Sequence, residues 1–256
     1  MSSFAGKVVL ISGATGGFGR AAAEMFSGEG AKLVLTDRSA DDLAELAKGL
    51  SKDVRCLAGD VTDEMLASDL VAMAFDEFGG LDVAVNNAGI AQPMLPISKT
   101  PTELFHQVLD VDLYGVFYAM RAQLKAMDKQ YKVSGRSSVI INVSSIAGVV
   151  AAPLLGAYAA AKHAVVGLTK TAAVEHARRG VRVNAICPSF ARTPMVMGDI
   201  LNEGGEPAEA RLTVNVPMGR LGEVSEIMAG LRYLADPANT FVTGQTIQID
   251  GGMTAT

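Results

Sequence analysis

Short β-branched runs alternate with longer helical stretches along this chain, and that alternation constrains its fold more than any other feature. Lys7–Ser12, Lys32–Thr36, Val54–Leu57, Val83–Asn86, Ser138–Val143, Val181–Ile186 and Thr246–Asp250 read as strands, most of them continuously apolar. Continuous apolarity marks strands buried on both faces. Between them, helices are expected over Arg20–Gly28, from a Ser39 cap onward, from a Thr62 cap to Phe78, over Pro101–Gln130 as one long stretch, over Ala157–Arg179 and over Val224–Ala235. A repeated β-α order implies an α/β fold, a doubly wound parallel sheet with helices on both faces. No linker or composition break interrupts the 256 residues, so a single domain is expected. Ala191–Val216 is the exception to the pattern: long and without a clear period, it is expected to be a mobile lid over a substrate.

Charge and cysteine usage narrow the function classes. A net charge of −5 gives no basic face for nucleic acid. No apolar stretch is long enough to span a membrane. Cys56 and Cys187 have no metal-ligand spacing and read as thiols of a reducing compartment. With no signal-peptide pattern at the start of the sequence, a cytoplasmic protein is expected. His106, His163 and His176 have no carboxylate or cysteine at metal spacing, so no metal site is expected.

Ser12-Gly13-Ala14-Thr15-Gly16-Gly17-Phe18-Gly19 separates the first strand from the first helix. Glycines there allow a tight turn and a close backbone approach to a pyrophosphate. The helix start offers free N–H groups and the positive end of its dipole. This is a Rossmann-like cofactor turn. Asp37 ends the second strand, where a carboxylate accepts ribose hydroxyls and repels a 2′-phosphate. Arg38 favours a phosphate instead, but Gly16 replaces the basic residue that would help it, so NAD is expected over NADP. Asp60-Val61 closes the third strand, in position to meet an adenine or to cap a helix. Asn86-Asn87-Ala88-Gly89 ends the fourth strand, where amides and a glycine let a cofactor pass close.

Tyr158 and Lys162 are four residues apart on a predicted helix, with Ser145 thirteen residues upstream of the tyrosine. Hydride transfer to a ketone leaves charge on oxygen, which needs a proton and a hydrogen-bond donor. A lysine one turn away shares the tyrosine's helix face and favours the phenolate. A phenol suits this role if it falls from about 10 towards neutrality. Ser145 would hold the substrate oxygen. The bland alternative makes Ser144 and Ser145 a strand end and Tyr158 a packing residue.

Taken jointly, these motifs resemble the short-chain dehydrogenases/reductases over nearly the whole chain. Ser145, Tyr158 and Lys162 fall on that family's catalytic Ser, Tyr and Lys, and Asn86–Gly89 on its Asn-Asn-Ala-Gly motif. The resemblance implies that Thr193 meets the nicotinamide carboxamide. It places Pro188 in the cofactor-binding segment Val183–Pro188, and matches Phe241–Gly244 and Asp250–Gly252 to the family's C-terminal pattern. It also implies a dimer or tetramer built through the long helices. The chain departs from the pattern at Ser189, where glycine is usual, and at Asp112, where the family's asparagine joins a proton path to the lysine. Asp112 is carried as a fourth catalytic candidate; an ionised carboxylate there is expected to keep Lys162 charged and to leave Tyr158 less acidified than beside an asparagine.

The expected function is hydride transfer between NAD(H) and a secondary alcohol or ketone, the substrate compact and mainly apolar from the neighbouring Val149–Leu155 and Met195–Met197 runs. The alternatives are an NADPH-dependent ketone or 3-oxoacyl reductase, against which Asp37 argues, and a non-catalytic nucleotide-binding protein, against which Ser145, Tyr158 and Lys162 argue. A methyltransferase would share the glycine turn but would not need the Tyr and Lys.

Overall fold

The computed structural model describes residues 3–194, 196–197 and 207–255. Seven strands form one parallel sheet in the order β3-β2-β1-β4-β5-β6-β7. They are β1 (Val8–Ser12), β2 (Lys32–Thr36), β3 (Val54–Cys56), β4 (Val83–Asn86), β5 (Ser138–Val143), β6 (Val181–Pro188) and β7 (Thr246–Ile249). The order reverses between β1 and β4, and such a switch point leaves a crevice beyond the strands' carboxyl ends.

Alternate residues of each strand feed different cores, because successive side chains point to opposite faces. Val9 and Ile11 of β1 pack with Phe26 of α1 (Gly17–Gly28), Leu43 of α2 (Ala40–Lys48) and Leu231 of α8 (Val224–Ala235). Val8 and Leu10 pack instead with Leu70 of α3 (Glu64–Phe78), Met127 of α5 (Gly115–Ser134) and Val165 of α6 (Gly156–His176). Each large apolar side chain so buried contributes about 1.5–3 kcal/mol. A polar network crosses the second core. Asn86 and Gln123 exchange two hydrogen bonds of 2.8 and 3.1 Å, Asn86 donates to Asn142 at 2.9 Å, and Asn142 donates to Thr169 at 2.8 Å. This network ties β4 and β5 to α5 and α6.

Several expected boundaries move. Asp63, not Thr62, caps α3: its carboxylate accepts from the Met65 N–H, while Thr62 donates to Asp60. Ser39 caps α2 as expected, accepting from the Asp42 N–H. The expected single helix over Pro101–Gln130 is three segments: α4 (Thr102–Leu109), a π-helical turn at Asp110–Tyr114, and α5, which runs on to Ser134. In the π turn the Gly115 N–H bonds back to the Asp110 carbonyl, one residue further than an α-helix allows. The α6 helix gives way to a 3₁₀ turn at Ala177–Arg179. Within the unperiodic segment Ala191–Val216, α7 (Pro207–Thr213) forms and Arg192 pairs with Glu209 and Glu223. The rest of that expected lid, Met195 and residues 198–206, lies outside the described residues.

Candidate active site

A cleft of about 330 Å³ opens at the switch point. It is lined by Gly13, Thr15, Gly16, Gly17, Phe18, Asp37, Arg38, Asp60, Val61, Asn87, Ala88, Gly89, Asp112, Tyr158, Lys162 and Thr193, all expected site residues. Three expected residues do not line it. Gly19 lies beneath the turn, where a side chain would collide with the Gly13 carbonyl. Pro188 is buried at the end of β6. Ser145 follows β5, accepts from the Ala147 N–H at 3.1 Å and stands close enough to the Tyr158 phenol to lower its pKa. Gly59, Ile90, Val111, Val143 and Ser144 also line the cleft and were not singled out from the sequence. All but Val143 directly adjoin residues that were.

The glycine turn is built to receive a phosphate. Gly13 takes φ +63°, which favours glycine, and a Cβ there would stand 2.8 Å from Ala88 Cα. Ser12 Oγ accepts from the Asn87 and Ala88 N–H groups at 3.1 and 3.2 Å. Asn87 Nδ2 donates back to the Ser12 and Gly13 carbonyls. The turn and the end of β4 are thereby locked together. No side chain caps α1, so its first N–H groups remain available to an anion. A dinucleotide pyrophosphate fits this cradle.

Asp37 lines the same cleft beside the glycine turn. Its Oδ2 accepts from both the N–H and the hydroxyl of Thr15, at 2.9 and 2.7 Å, and its Oδ1 accepts from the Arg38 N–H. Thr15 therefore fixes the carboxylate from within the glycine turn. Asp60 closes an Asx-type turn onto Thr62, and those hydrogen bonds hold its carboxyl below the usual range.

The π turn brings Asp112 fully inside, with Oδ1 accepting from the Ile90 N–H at 2.8 Å. Lys162 Nζ lies 3.2 Å from Asp112 Oδ2 and donates to the Val143 carbonyl at 3.3 Å. The ammonium is off the hydrogen-bonding line, so among the described residues Oδ2 is the one buried side-chain oxygen or nitrogen without a hydrogen bond. Gly89 makes room for the pair: a Cβ there would sit 3.3 Å from both Oδ2 and Nζ. Lys162 Nζ also lies 5.4 Å from the Tyr158 ring centroid.

Burial works against both charges. It pushes the Asp112 carboxyl up, and Lys162 only partly reverses this. It pulls the Lys162 ammonium down, but Asp112 and the tyrosine outweigh it and the net direction is upward. The lysine therefore keeps its proton. Tyr158 is not acidified. Burial raises the phenol and the Asp112 charge raises it further, outweighing Lys162 and the Ser145 hydrogen bond, which lower it. A lysine whose field is largely spent on a carboxylate 3.2 Å away has less to offer its tyrosine.

His163 is exposed and hydrogen-bonds the Ala159 carbonyl, and His176 pairs with Asp128 at 2.8 Å. Among the described residues no group of three His, Cys, Asp or Glu side chains could hold a metal, and no helix is long and apolar enough to cross a membrane.

A parallel sheet with a glycine-turn crevice, joined to a Ser-Tyr-Lys constellation, defines a nicotinamide-dependent oxidoreductase, and the chain belongs to the short-chain dehydrogenase/reductase family. Residues 13–254 match the family described as enoyl-(acyl carrier protein) reductase. The chain is 37% identical to 2,5-dichloro-2,5-cyclohexadiene-1,4-diol dehydrogenase of Sphingobium indicum, covering 100% of both chains. It is also 37% identical to cis-4-hydroxycyclohexanecarboxylate dehydrogenase of Sinomonas cyclohexanicum, over 99% of this chain and 98% of the relative. Two solved structures cover 98% of this chain and 99% of their own. One is 3-ketoacyl-(acyl-carrier-protein) reductase from Brucella melitensis complexed with NADH, at 30% identity and a TM-score of 0.88. The other is ElxO with NADP bound, at 32% identity and a TM-score of 0.90. The relatives are dehydrogenases and reductases, and this protein is an oxidoreductase that uses NAD(P) and acts on CH–OH groups.

Proposed function

We propose that this enzyme prefers NAD(H), that Tyr158 is its general acid/base, and that its substrate is a compact, largely apolar secondary alcohol or ketone. The observation that carries the reading is that one cleft is lined both by Tyr158, Lys162 and Thr193 and by an Asp37 that Thr15 clamps. In this reading Gly13–Gly19 and the α1 start hold the pyrophosphate. Asp37 takes the ribose hydroxyls and repels a 2′-phosphate. Arg38, Asp60 and Val61 flank the adenosine; Asn87, Ala88 and Gly89 floor the middle of the cleft; Pro188 and Thr193 border the nicotinamide. The bound nicotinamide supplies or takes up the hydride.

In the oxidation direction the alcohol O–H proton passes to the Tyr158 phenolate as the carbon gives up hydride. In reduction Tyr158 returns a proton to the carbonyl oxygen. Ser145 donates a hydrogen bond to that oxygen, and Lys162 stabilises the phenolate. Asp112 sets the charge on Lys162. Two relatives named for six-membered ring alcohols support a cyclic secondary alcohol as the substrate. A cytoplasmic homo-oligomer, dimer or tetramer, taking no nucleic acid and no membrane, completes the reading.

Purified enzyme is assayed by NADH and NADPH absorbance against cyclic and acyclic secondary alcohols, their ketones and a 3-oxoacyl thioester. The expected result is NAD-linked turnover of a ring alcohol, lost by about 10²–10⁴ in Tyr158→Phe. In Asp37→Ser the preference moves towards NADP. Wild-type kcat/KM equal or better with NADP(H), or with the thioester, overturns the reading.

A further inference from the structure

We propose that Gln92 is a positioning residue for Tyr158: its side-chain carbonyl caps the N-terminus of the catalytic helix at the tyrosine's own N–H. The inference rests on the reading of Tyr158 given above.

The first residues of a helix have N–H groups without an intrahelical acceptor. In α6 the cap position is Leu155, whose side chain cannot accept a hydrogen bond. Intrahelical bonding begins with the Ala159 N–H to the Leu155 carbonyl, at 2.8 Å. The Tyr158 N–H is therefore the last orphan of the helix. Gln92 Oε1, from the loop after β4, accepts it at 2.8 Å. The Gln92 side chain is buried, 6% exposed, so water does not compete for the bond.

The other end of the same amide secures the turn before the helix. Gln92 Nε2 donates to the Leu154 carbonyl at 3.3 Å, and Leu95 N–H donates to that carbonyl at 2.9 Å. Leu154 takes φ +69°, the one non-glycine residue in the left-handed region among the described residues. A leucine holds such a conformation only where its surroundings impose it. Two donors on one carbonyl supply that restraint.

The loop has two anchors. Ile90 N–H reaches Asp112 Oδ1, and Gln92 reaches Tyr158 N–H. One short segment thus spans from the Lys162–Asp112 pair to the start of the tyrosine's helix, and sets the phenol's place relative to that pair. The charged or titratable groups acting on the phenol are Lys162, Asp112 and Cys187, with the Ser145 hydroxyl beside it.

The test compares Gln92→Leu, Gln92→Asn, Gln92→Glu and Tyr158→Phe with wild type. Three readouts are followed: kcat for cyclohexanol with NAD, amide exchange over residues 157–160, and phenolate absorbance titrated with pH. The last is isolated as the difference between each variant and its Tyr158→Phe counterpart. Glutamate keeps the acceptor, at a helix N-terminus that favours it, and loses the donor. Asparagine keeps the amide but falls one methylene short.

Gln92→Leu is expected to lower kcat by about tenfold or more, since a displacement of about 1 Å can cost 10²-fold. Its Tyr158 amide should exchange faster and its phenolate titration should move, while NADH affinity stays within about twofold. Gln92→Glu should keep the amide protected and restore most of kcat on the high-pH plateau. Gln92→Asn should move the same way as leucine to a smaller degree, and it decides the matter if the leucine variant does not fold. An unmoved phenolate titration with unchanged amide exchange in Gln92→Leu or Gln92→Asn overturns the proposal. So does a glutamate variant as impaired as leucine, which would assign the effect to Leu154. If Tyr158→Phe retains wild-type kcat, the catalytic reading itself fails; if Tyr158→Phe is inactive and Gln92→Leu is not, only the role of Gln92 fails.

Discussion

Replacing Asp112 by Asn should move the rising limb of the oxidation pH profile to lower pH. The argument starts from Lys162, whose Nζ is 3.2 Å from Asp112 Oδ2 and 5.4 Å from the Tyr158 ring centroid. Those two distances put the carboxylate within about 9 Å of the ring. At an effective dielectric constant of about 20, two like charges at that range repel by about 2 kcal/mol. That corresponds to roughly one pH unit or slightly more in the phenol's ionisation. The sign follows from like charge: an anion beside the phenol disfavours the phenolate, so removing it favours the phenolate. Oxidation needs the phenolate as base, so the limb should fall by about one pH unit in Asp112→Asn. The Asn side chain keeps an acceptor for the Ile90 N–H, and activity should survive on the plateau.

The assay is initial rate of NADH formation from a secondary alcohol, from near-neutral to alkaline pH, with saturating NAD. An unchanged limb would mean that Asp112 is protonated in the working enzyme. A limb moving upward would mean that Lys162 loses its proton when it loses Asp112, and would refute the assignment of Lys162 as the retained cation. Titrating phenolate absorbance in the cofactor complex, against Tyr158→Phe, separates these outcomes from a change in rate-limiting step.

Three further outcomes follow from the same geometry. Gly89→Ala places a methyl group 3.3 Å from both Asp112 Oδ2 and Lys162 Nζ, and should lower kcat/KM by about tenfold or more in steady-state assays. Gln123→Leu leaves part of the buried Asn86 amide without a partner and should destabilise the fold by about 1–3 kcal/mol, read as a lower urea midpoint with unchanged slope. Iodoacetamide on the native protein should label the exposed Cys56 and spare Cys187, whose thiol burial pushes up to about 11; both should react once the chain is unfolded.

The sheet was legible because most of its strands are written as continuous apolar runs, and β1, β4 and β5 are in fact buried throughout. Helix edges were less so. The α1 helix begins at Gly17, inside the glycine turn, because glycine carries no helical signal of its own. Thr62 and Asp63 are both good caps, and composition alone does not choose between neighbours. The π turn at Asp110–Tyr114 left no trace in the pattern, since every residue in it suits an α-helix. Residues of the cleft were readable where one chain segment carries a motif. What the sequence could not display were contacts between segments: the Thr15 clamp on Asp37, and Gln92 on Tyr158. Both depend on a side chain reaching a residue 22 or 66 positions away. The opposition of Asp112 to the tyrosinate was readable from the sequence, but the burial that contributes most to raising the Tyr158 phenol was not, because it depends on how the segments pack.

That carboxylate gives the site a different charge economy from one built on asparagine. A buried ammonium with only carbonyls around it bears its full desolvation penalty and tends to lose its proton. Lys162 is almost wholly buried, yet Asp112 holds its proton in place. The consequence for Tyr158 is that it faces a near-neutral pair rather than a lone cation, and a pair's field falls away faster with distance than that of a single charge. The site therefore holds its lysine charged over a wide pH range and ionises its tyrosine reluctantly. In reduction the resting phenol already carries the proton the carbonyl oxygen needs, so that direction should hold its rate across neutral pH. Oxidation should gain rate only as the phenol yields. Burial sets part of the asymmetry between the two directions and Asp112 adds to it, and its narrowing by about one pH unit in Asp112→Asn is the feature of the pH profiles that tests the contribution of this side chain.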